Sequence, residues 1–172
     1  MFEINDPIFF SGTGVCRITG IQAVKFGTME EQECYVFKPV ADPSSCLYIP
    51  VMNDEVQGDI RPVLTQEAVS LLIHMMPQEE SIWISNDRDR CKDYLAKIQS
   101  CDSRQLIKII KTLYIEKNIN SKSKRLNTSD AKIMSIAEKL LYEEFAFVLG
   151  IDPKEVVSYI RDRIPQSAQQ AS

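Results

Sequence analysis

The chain is poor in the residues on which most enzyme chemistry depends. It has a single histidine, His74, among 172 residues, although histidine is the usual acid or base at neutral pH. His74 lies between Ile73 and Met75 in an amphipathic stretch, which favours a structural or surface role. Gly12 and Gly14 are not followed by the lysine and Ser/Thr of a phosphate-binding loop. We therefore expect the protein not to be an enzyme.

Metal-binding and membrane-spanning patterns are also missing. The chain has five widely spaced cysteines and no CxxC pair, so a zinc site is poorly supported and reduced thiols are the simpler interpretation. We expect no metal and no cofactor. No apolar run approaches the roughly 20 residues that a membrane span needs. The first residues, MFEINDP, lack the basic region of a secretory signal, and we expect a cytoplasmic protein.

Charge is unevenly distributed along the chain, although the net charge is only −4. Residues 1–64 hold 4 basic and 9 acidic side chains, a net of −5. Residues 65–127 hold 11 basic and 8 acidic, a net of +3, and residues 128–172 hold 5 and 7, a net of −2. Such an asymmetry indicates a local surface for a polyanion within an acidic protein.

The pattern predicts an α+β chain in which a small β module precedes a helical domain. Short runs rich in Val, Ile, Phe, Tyr and Cys, at 7–10, 14–21, 33–40 and 46–51, are separated by turn residues. Strands at this spacing are typical of a small antiparallel barrel. Helical periodicity then covers 65–76, 86–98, a segment from Asp102, 128–149 and a last helix to about Ile164. We expect domains at 1–60 and 61–164, with a disordered tail at 165–172.

Basic side chains concentrate on the middle helices. Arg104, Lys108 and Lys111 follow i, i+4, i+7 spacing, which places them on one helix face. Such a stripe can follow a phosphate backbone, or it can be an ordinary solvated face. Further candidate cations are Arg88, Arg90, Lys92 and Lys97 in the preceding helix, and Lys124 and Arg125 in a basic loop predicted at 117–127.

The only tryptophan, Trp83, lies directly before this basic region. It can be a buried anchor between Ile82 and Ile84, or an exposed apolar wedge of the kind that architectural proteins insert at base steps in the minor groove. Spacing alone does not decide between these two interpretations.

The order of several short motifs resembles the CarD/CdnL family of bacterial RNA polymerase-binding transcription regulators. The opening MFEINDPIFFSGTGVCRITGI, the pair ECYVFKPV and CLYIPV, and IRPVLTQEAV are similar to the family's N-terminal half. Trp83 with its basic helix, DSRQLIKIIKTLY and EKLLYEEFAFVLGI are similar to its C-terminal half. The similarity covers residues 1 to about 151. Phe10-Ser11 departs from the family's Tyr-Pro, and the spacing after Trp83 is longer than usual.

The resemblance implies a Tudor-like, SH3-like barrel that binds the RNA polymerase β subunit and a helical domain that contacts promoter DNA weakly and without sequence preference. In the barrel it implies polymerase-facing residues at Lys25, Tyr48, Ile49 and Pro50, with Tyr48 where relatives often carry a basic residue. In the helical domain it implies that Trp83 wedges into the minor groove beside Arg88, Arg90 and Lys92. The expected function is stabilisation of the promoter open complex by a monomer. The alternative is a protein–protein adaptor without a DNA role, in which Trp83 is a core residue.

Overall fold

The computed structural model describes residues 2–52 and 58–165, and the chain divides into two compact units, Met1–Val63 and Leu64–Ser172. The first unit is an antiparallel sheet and the second is helical, which confirms the predicted fold class. Apart from Pro165, the tail predicted at 165–172 lies outside the described residues, as does 53–57 before the second unit.

The first unit is a five-stranded sheet in the order β4-β3-β2-β1-β5. Its strands are β1 (Pro7–Phe10), β2 (Gly14–Val24), β3 (Gln32–Pro39), β4 (Leu47–Pro50) and β5 (Ile60–Pro62). The predicted turn between β1 and β2 uses two glycines with positive φ, Gly12 at 70° and Gly14 at 99°, which other residues rarely adopt. A bulge between Ile18 and Gly20 interrupts the pairing of the long β2 with β3, and such bulges bend small sheets.

The fifth strand carries no sequence pattern of its own. It is only three residues long, and its Arg61 and Pro62 are not strand-forming residues. It forms because it pairs with Ile8, Phe9 and Phe10 of β1. The first unit extends to Val63 and so includes β5.

The sheet encloses a core of alternating apolar residues. Ile8, Cys16, Ile18 and Phe37 have no exposed surface, and Tyr35 and Ile49 are nearly as buried. Successive side chains of a strand point to opposite faces. In β4 the side chain between Leu47 and Ile49 therefore points away from this core, and Tyr48 is 42% exposed.

The described part of the second unit, residues 64–165, contains five α-helices. They are α1 (Gln66–Met75), α2 (Asp87–Gln99), α3 (Ser103–Ile115), α4 (Thr128–Leu149) and α5 (Val156–Arg163). A π-helical turn, Glu116–Asn120, extends α3 into the segment predicted as loop, and short 3-10 turns at Met76–Gln78 and Pro153–Glu155 adjoin α1 and α5. No helix in the described ranges is long and apolar enough to cross a membrane.

Capping residues define the helix ends. Asn86 accepts hydrogen bonds from the backbone N–H groups of Arg88 and Asp89 at the start of α2. Asp152 and Glu155 form a complete capping box. Gly150 ends α4 with a φ of 68° and a ψ of 34°, the left-handed conformation expected of a helix-stopping glycine. The helices enclose a core that includes Tyr94, Leu113, Leu140 and Phe145.

Candidate nucleic-acid interface

Trp83 lies on an irregular segment, 79–86, that connects the 3-10 turn after α1 to the start of α2. Its side chain is 42% exposed. A tryptophan that serves as a core anchor would be buried, whereas this one keeps a large apolar surface in contact with water. Its position therefore favours a contact with another molecule.

The segment that carries Trp83 is held by two hydrogen bonds at Ile82, directly before the ring. The N–H of Ile82 donates to the Thr112 hydroxyl at 2.9 Å, and the Tyr94 hydroxyl donates to the Ile82 carbonyl at 3.0 Å. Thr112 and Tyr94 are themselves buried. Burial raises the pKa of Tyr94 to about 12, so its phenol remains a donor at neutral pH. These bonds fix the backbone next to Trp83 without involving its ring.

Arg90 lies directly beneath the ring. Its guanidinium carbon is 4.1 Å from the centroid of the Trp83 ring, in a cation–π arrangement. The residue is 1% exposed, and its donors bond to Asp130, Asp87 and the Ile84 carbonyl. Hydrogen bonding to Asp130 raises the pKa of Arg90 above its usual range. Arg90, predicted from the sequence as a DNA contact, is therefore a buried residue whose charge is already paired within the protein.

Two cations of α2 do face solvent. Arg88 and Lys92 are exposed on α2 and form no ion pair with another described residue. Lys97, further along the helix, pairs with Asp93 at 2.7 Å, which leaves it less available to a phosphate. The exposed cations of α2 without an ion partner among the described residues are thus Arg88 and Lys92.

The stripe predicted on α3 is more fully occupied than its spacing indicates. Glu79, which is 6% exposed, accepts a bond from Arg104 at 2.7 Å and lies 3.8 Å from Lys108. The Lys111 ammonium donates to the carbonyls of Met76, Pro77 and Glu79. Glu79 belongs to the segment between α1 and α2 rather than to α3, so the spacing of the stripe alone does not show this carboxyl group.

A second basic group surrounds a depression before α4. Lys117, Lys124 and Arg125 line a cavity of about 350 Å³ together with Leu126, Met134, Glu138 and two small residues. Lys124 and Arg125 are exposed. Burial raises the pKa of Glu138, and the nearby Lys117 opposes that rise. The two predicted loop cations are therefore accessible to a polyanion, with one carboxyl group beside them.

In the first unit, the predicted polymerase-facing residues lie in different environments. Lys25 is exposed in the connection between β2 and β3, and Tyr48 projects from the edge strand β4. Pro50 is partly exposed and ends that strand. Ile49, also predicted to face the polymerase, is 7% exposed and packs its side chain in the sheet core. Its backbone still belongs to a strand at the edge of the sheet.

Sequence reasoning missed the residues that position the candidate site. Asp130, Thr112 and Glu79 each bond to a segment at least 25 positions away. In the sequence, Glu79 and Asp130 are two acidic residues among 24 Asp and Glu residues. Asp130 lies three residues after the N-cap Asn127, where an acidic residue is already explained by helix capping. No local pattern distinguishes its additional role.

Comparison with known proteins identifies both units. Residues 2–64 match the family described as CarD-like/TRCF RID domain, and residues 71–161 match the family described as CarD, C-terminal domain. The chain is also similar to "Putative transcription factor YdeB" of Bacillus subtilis (strain 168). The two are 26% identical over 159 residues, which cover 92% of this chain and 99% of that protein.

Proposed function

The chain belongs to the CarD family of transcription regulators, and from this premise we propose that it binds the RNA polymerase β subunit and stabilises the promoter open complex. The first unit binds the polymerase, and the second unit holds promoter DNA in the minor groove. One copy acts at each promoter, in the cytoplasm, without a cofactor.

The observation that carries the DNA-binding part is the half-exposed Trp83 on a rigid support. An apolar side chain that enters the minor groove must open a base step, which costs a few kcal/mol, and new contacts offset that cost. Trp83 offers a large flat surface, and Arg88 and Lys92 lie on the adjoining helix without intramolecular ion partners among the described residues. Phosphate contacts of this kind position a protein on DNA without reading its sequence.

The polymerase-binding part is supported by the edge of the sheet. β4 has a neighbour on one side only, β3, in the order of the described strands. An edge strand offers backbone groups to a strand of a partner protein, and outward side chains then add specificity. Tyr48 supplies an exposed aromatic side chain there, and Lys25 supplies a cation on the β2–β3 connection. The polymerase contact therefore consists of strand pairing assisted by Tyr48, Pro50 and Lys25.

The two contacts depend on each other energetically. A chain with a net charge of −4 and few available cations should bind free DNA weakly, with a steep dependence on salt. Attachment to polymerase raises the local concentration of DNA around the second unit and compensates for the weak contact. The protein should therefore act on polymerase-bound promoters rather than as an independent DNA-binding protein.

The test is the lifetime of open complexes formed by cognate polymerase on a promoter, measured after addition of a competitor. Reactions contain no added protein, wild type, Trp83→Ala, or Tyr114→Ala as a matched control, since Tyr114 is an exposed aromatic residue of the same unit. Wild type and Tyr114→Ala should lengthen the lifetime, and Trp83→Ala should lengthen it little. Equal lengthening by all three proteins would remove the wedge from the proposal.

Polymerase binding is measured separately with a Tyr48→Asp variant. A carboxylate on the outward face of β4 should weaken polymerase binding and leave the second unit folded. A variant with unchanged affinity for polymerase would show that this edge is not the contact.

A further inference from the structure

We infer that Arg90 and Asp130 form a positioning pair that holds Trp83 in the orientation in which it meets DNA. This inference rests on the proposed function, because it assigns a role toward the Trp83 contact. It gives Arg90 a different role from Arg88 and Lys92, although all three are cations of one helix. Arg90 acts through Trp83, whereas Arg88 and Lys92 act on the phosphates.

The guanidinium of Arg90 is fixed within its own plane. Nε and Nη2 donate to the two carboxylate oxygens of Asp130 at 3.0 and 2.6 Å. Nη2 also donates to Asp87 at 2.7 Å, and Nη1 donates to the Ile84 carbonyl at 2.7 Å. A planar guanidinium with acceptors on three sides cannot rotate, and its faces remain free to stack on an aromatic ring. The group is therefore a rigid platform.

Trp83 uses this platform. Its ring lies over the Arg90 guanidinium at 4.1 Å, and the side chain is still 42% exposed. An exposed side chain normally loses rotamer freedom when it binds, at a cost that lowers affinity. A ring already stacked on a fixed cation avoids most of that loss. The pair thus prepares the contact in the free protein.

Burial argues against direct binding of Arg90 to a phosphate. The Arg90 and Asp130 side chains are 1% and 3% exposed, and a phosphate would have to compete with Asp130 and Asp87 for the donors of Arg90. Asp130 lies in the first turn of α4, and Arg90 lies in the first turn of α2. The pair therefore joins two helix N-termini to the segment that carries Trp83, which is a structural arrangement suited to orienting a side chain.

The test uses the fact that Trp83 is the only tryptophan of the chain, so its fluorescence reports the ring directly. The variants are Arg90→Lys, which keeps a charge and loses the planar platform, and the double variant Arg90→Met with Asp130→Leu. The double variant replaces both charges with apolar groups of similar size, a change that buried ion pairs often tolerate. Arg88→Met is the matched control from the same helix.

Two experiments are performed on each folded variant. The first measures acrylamide quenching and anisotropy of Trp83 fluorescence in the free protein. The second measures the open-complex lifetime with polymerase. Arg90→Lys and the double variant should raise quenching and lower anisotropy. They should also shorten the open-complex lifetime by roughly 2- to 10-fold relative to wild type, the range that corresponds to the cost of ordering one side chain. Arg88→Met should leave the fluorescence unchanged.

The outcomes separate this inference from the proposed function. If Trp83→Ala shortens the lifetime and the folded double variant behaves as wild type in both measurements, the positioning pair is refuted and the wedge stands. If Trp83→Ala has no effect on the lifetime, the wedge fails. A double variant with a mobile ring and a shortened lifetime supports the positioning pair.

Discussion

Replacing Asp130 with asparagine should destabilise the helical unit strongly. Arg90 and Asp130 are buried to 1% and 2% exposure and are joined by two hydrogen bonds. Removal of one partner of a buried ion pair leaves an uncompensated charge and costs about 3–5 kcal/mol. In Asp130→Asn, the single amide oxygen takes the place of only one of the two acceptors. The amide N–H group then faces the remaining donor of Arg90.

A remaining partner sets the expected value within that range. Asp87 stays 2.7 Å from Arg90, so the Arg90 charge keeps one anionic partner, although that side chain is 77% exposed. We therefore expect a loss of about 3 kcal/mol, near the lower end of the range. For a unit of this size, that loss lowers the melting temperature by about 12 °C or more.

Urea unfolding followed by Trp83 fluorescence measures this loss, because the only tryptophan lies in the helical unit. The double variant Arg90→Met with Asp130→Leu should regain most of the stability, since it leaves no charge unpaired in the interior. Asp93→Asn, on a half-exposed ion pair with Lys97, should cost less than about 1 kcal/mol. A loss of less than about 1 kcal/mol in Asp130→Asn would refute the account of the buried pair.

Three further predictions concern other parts of the chain. Thr112→Val leaves the N–H of Ile82 without its acceptor, so the free energy of unfolding in urea should fall by about 1–2 kcal/mol; an unchanged value would contradict that bond. Glu79→Gln removes the negative charge that pairs with Arg104, so affinity for promoter DNA should rise. The slope of log K against log salt should steepen by up to about 0.9. An identical slope would show that Arg104 never reaches a phosphate. Burial raises the pKa of Cys16 to about 11 from an ordinary value of about 8.5. Because the folded state keeps a proton that the unfolded chain loses, stability should decline as pH rises between these two values; denaturation at stepped pH checks this, and Cys16→Ala should lack that part of the decline.

Much of the fold was predictable because local signals define it. The four strands found in the sequence are rich in Val, Ile, Phe, Tyr and Cys between turn residues, and the helices begin and end at recognisable caps such as Asn86 and Gly150. β5 was not predictable, because its three residues become a strand only through pairing with β1. The π-helical turn Glu116–Asn120 was missed for a related reason, since a polar composition there is equally typical of a loop.

The candidate site was predictable in part. Trp83 stood out because it is unique and adjoins basic residues, and the structure places it at the surface. Sequence spacing could not separate the exposed Arg88 from the buried Arg90, which lie two positions apart on one helix. That difference depends on Asp130, which is 40 positions further along the chain. Ion pairs between distant segments carry no periodicity, so only the three-dimensional structure shows them.

The most direct test of the wedge is the emission of 5-hydroxytryptophan incorporated at position 83. The analogue can be excited apart from the tryptophans of polymerase, and this chain has no other tryptophan position. Its emission should be unchanged when polymerase alone is added and should be quenched when promoter DNA completes the open complex, because the ring then stacks on a base step. Emission that stays unchanged in a complex whose lifetime the protein lengthens would contradict the central claim that Trp83 enters the DNA.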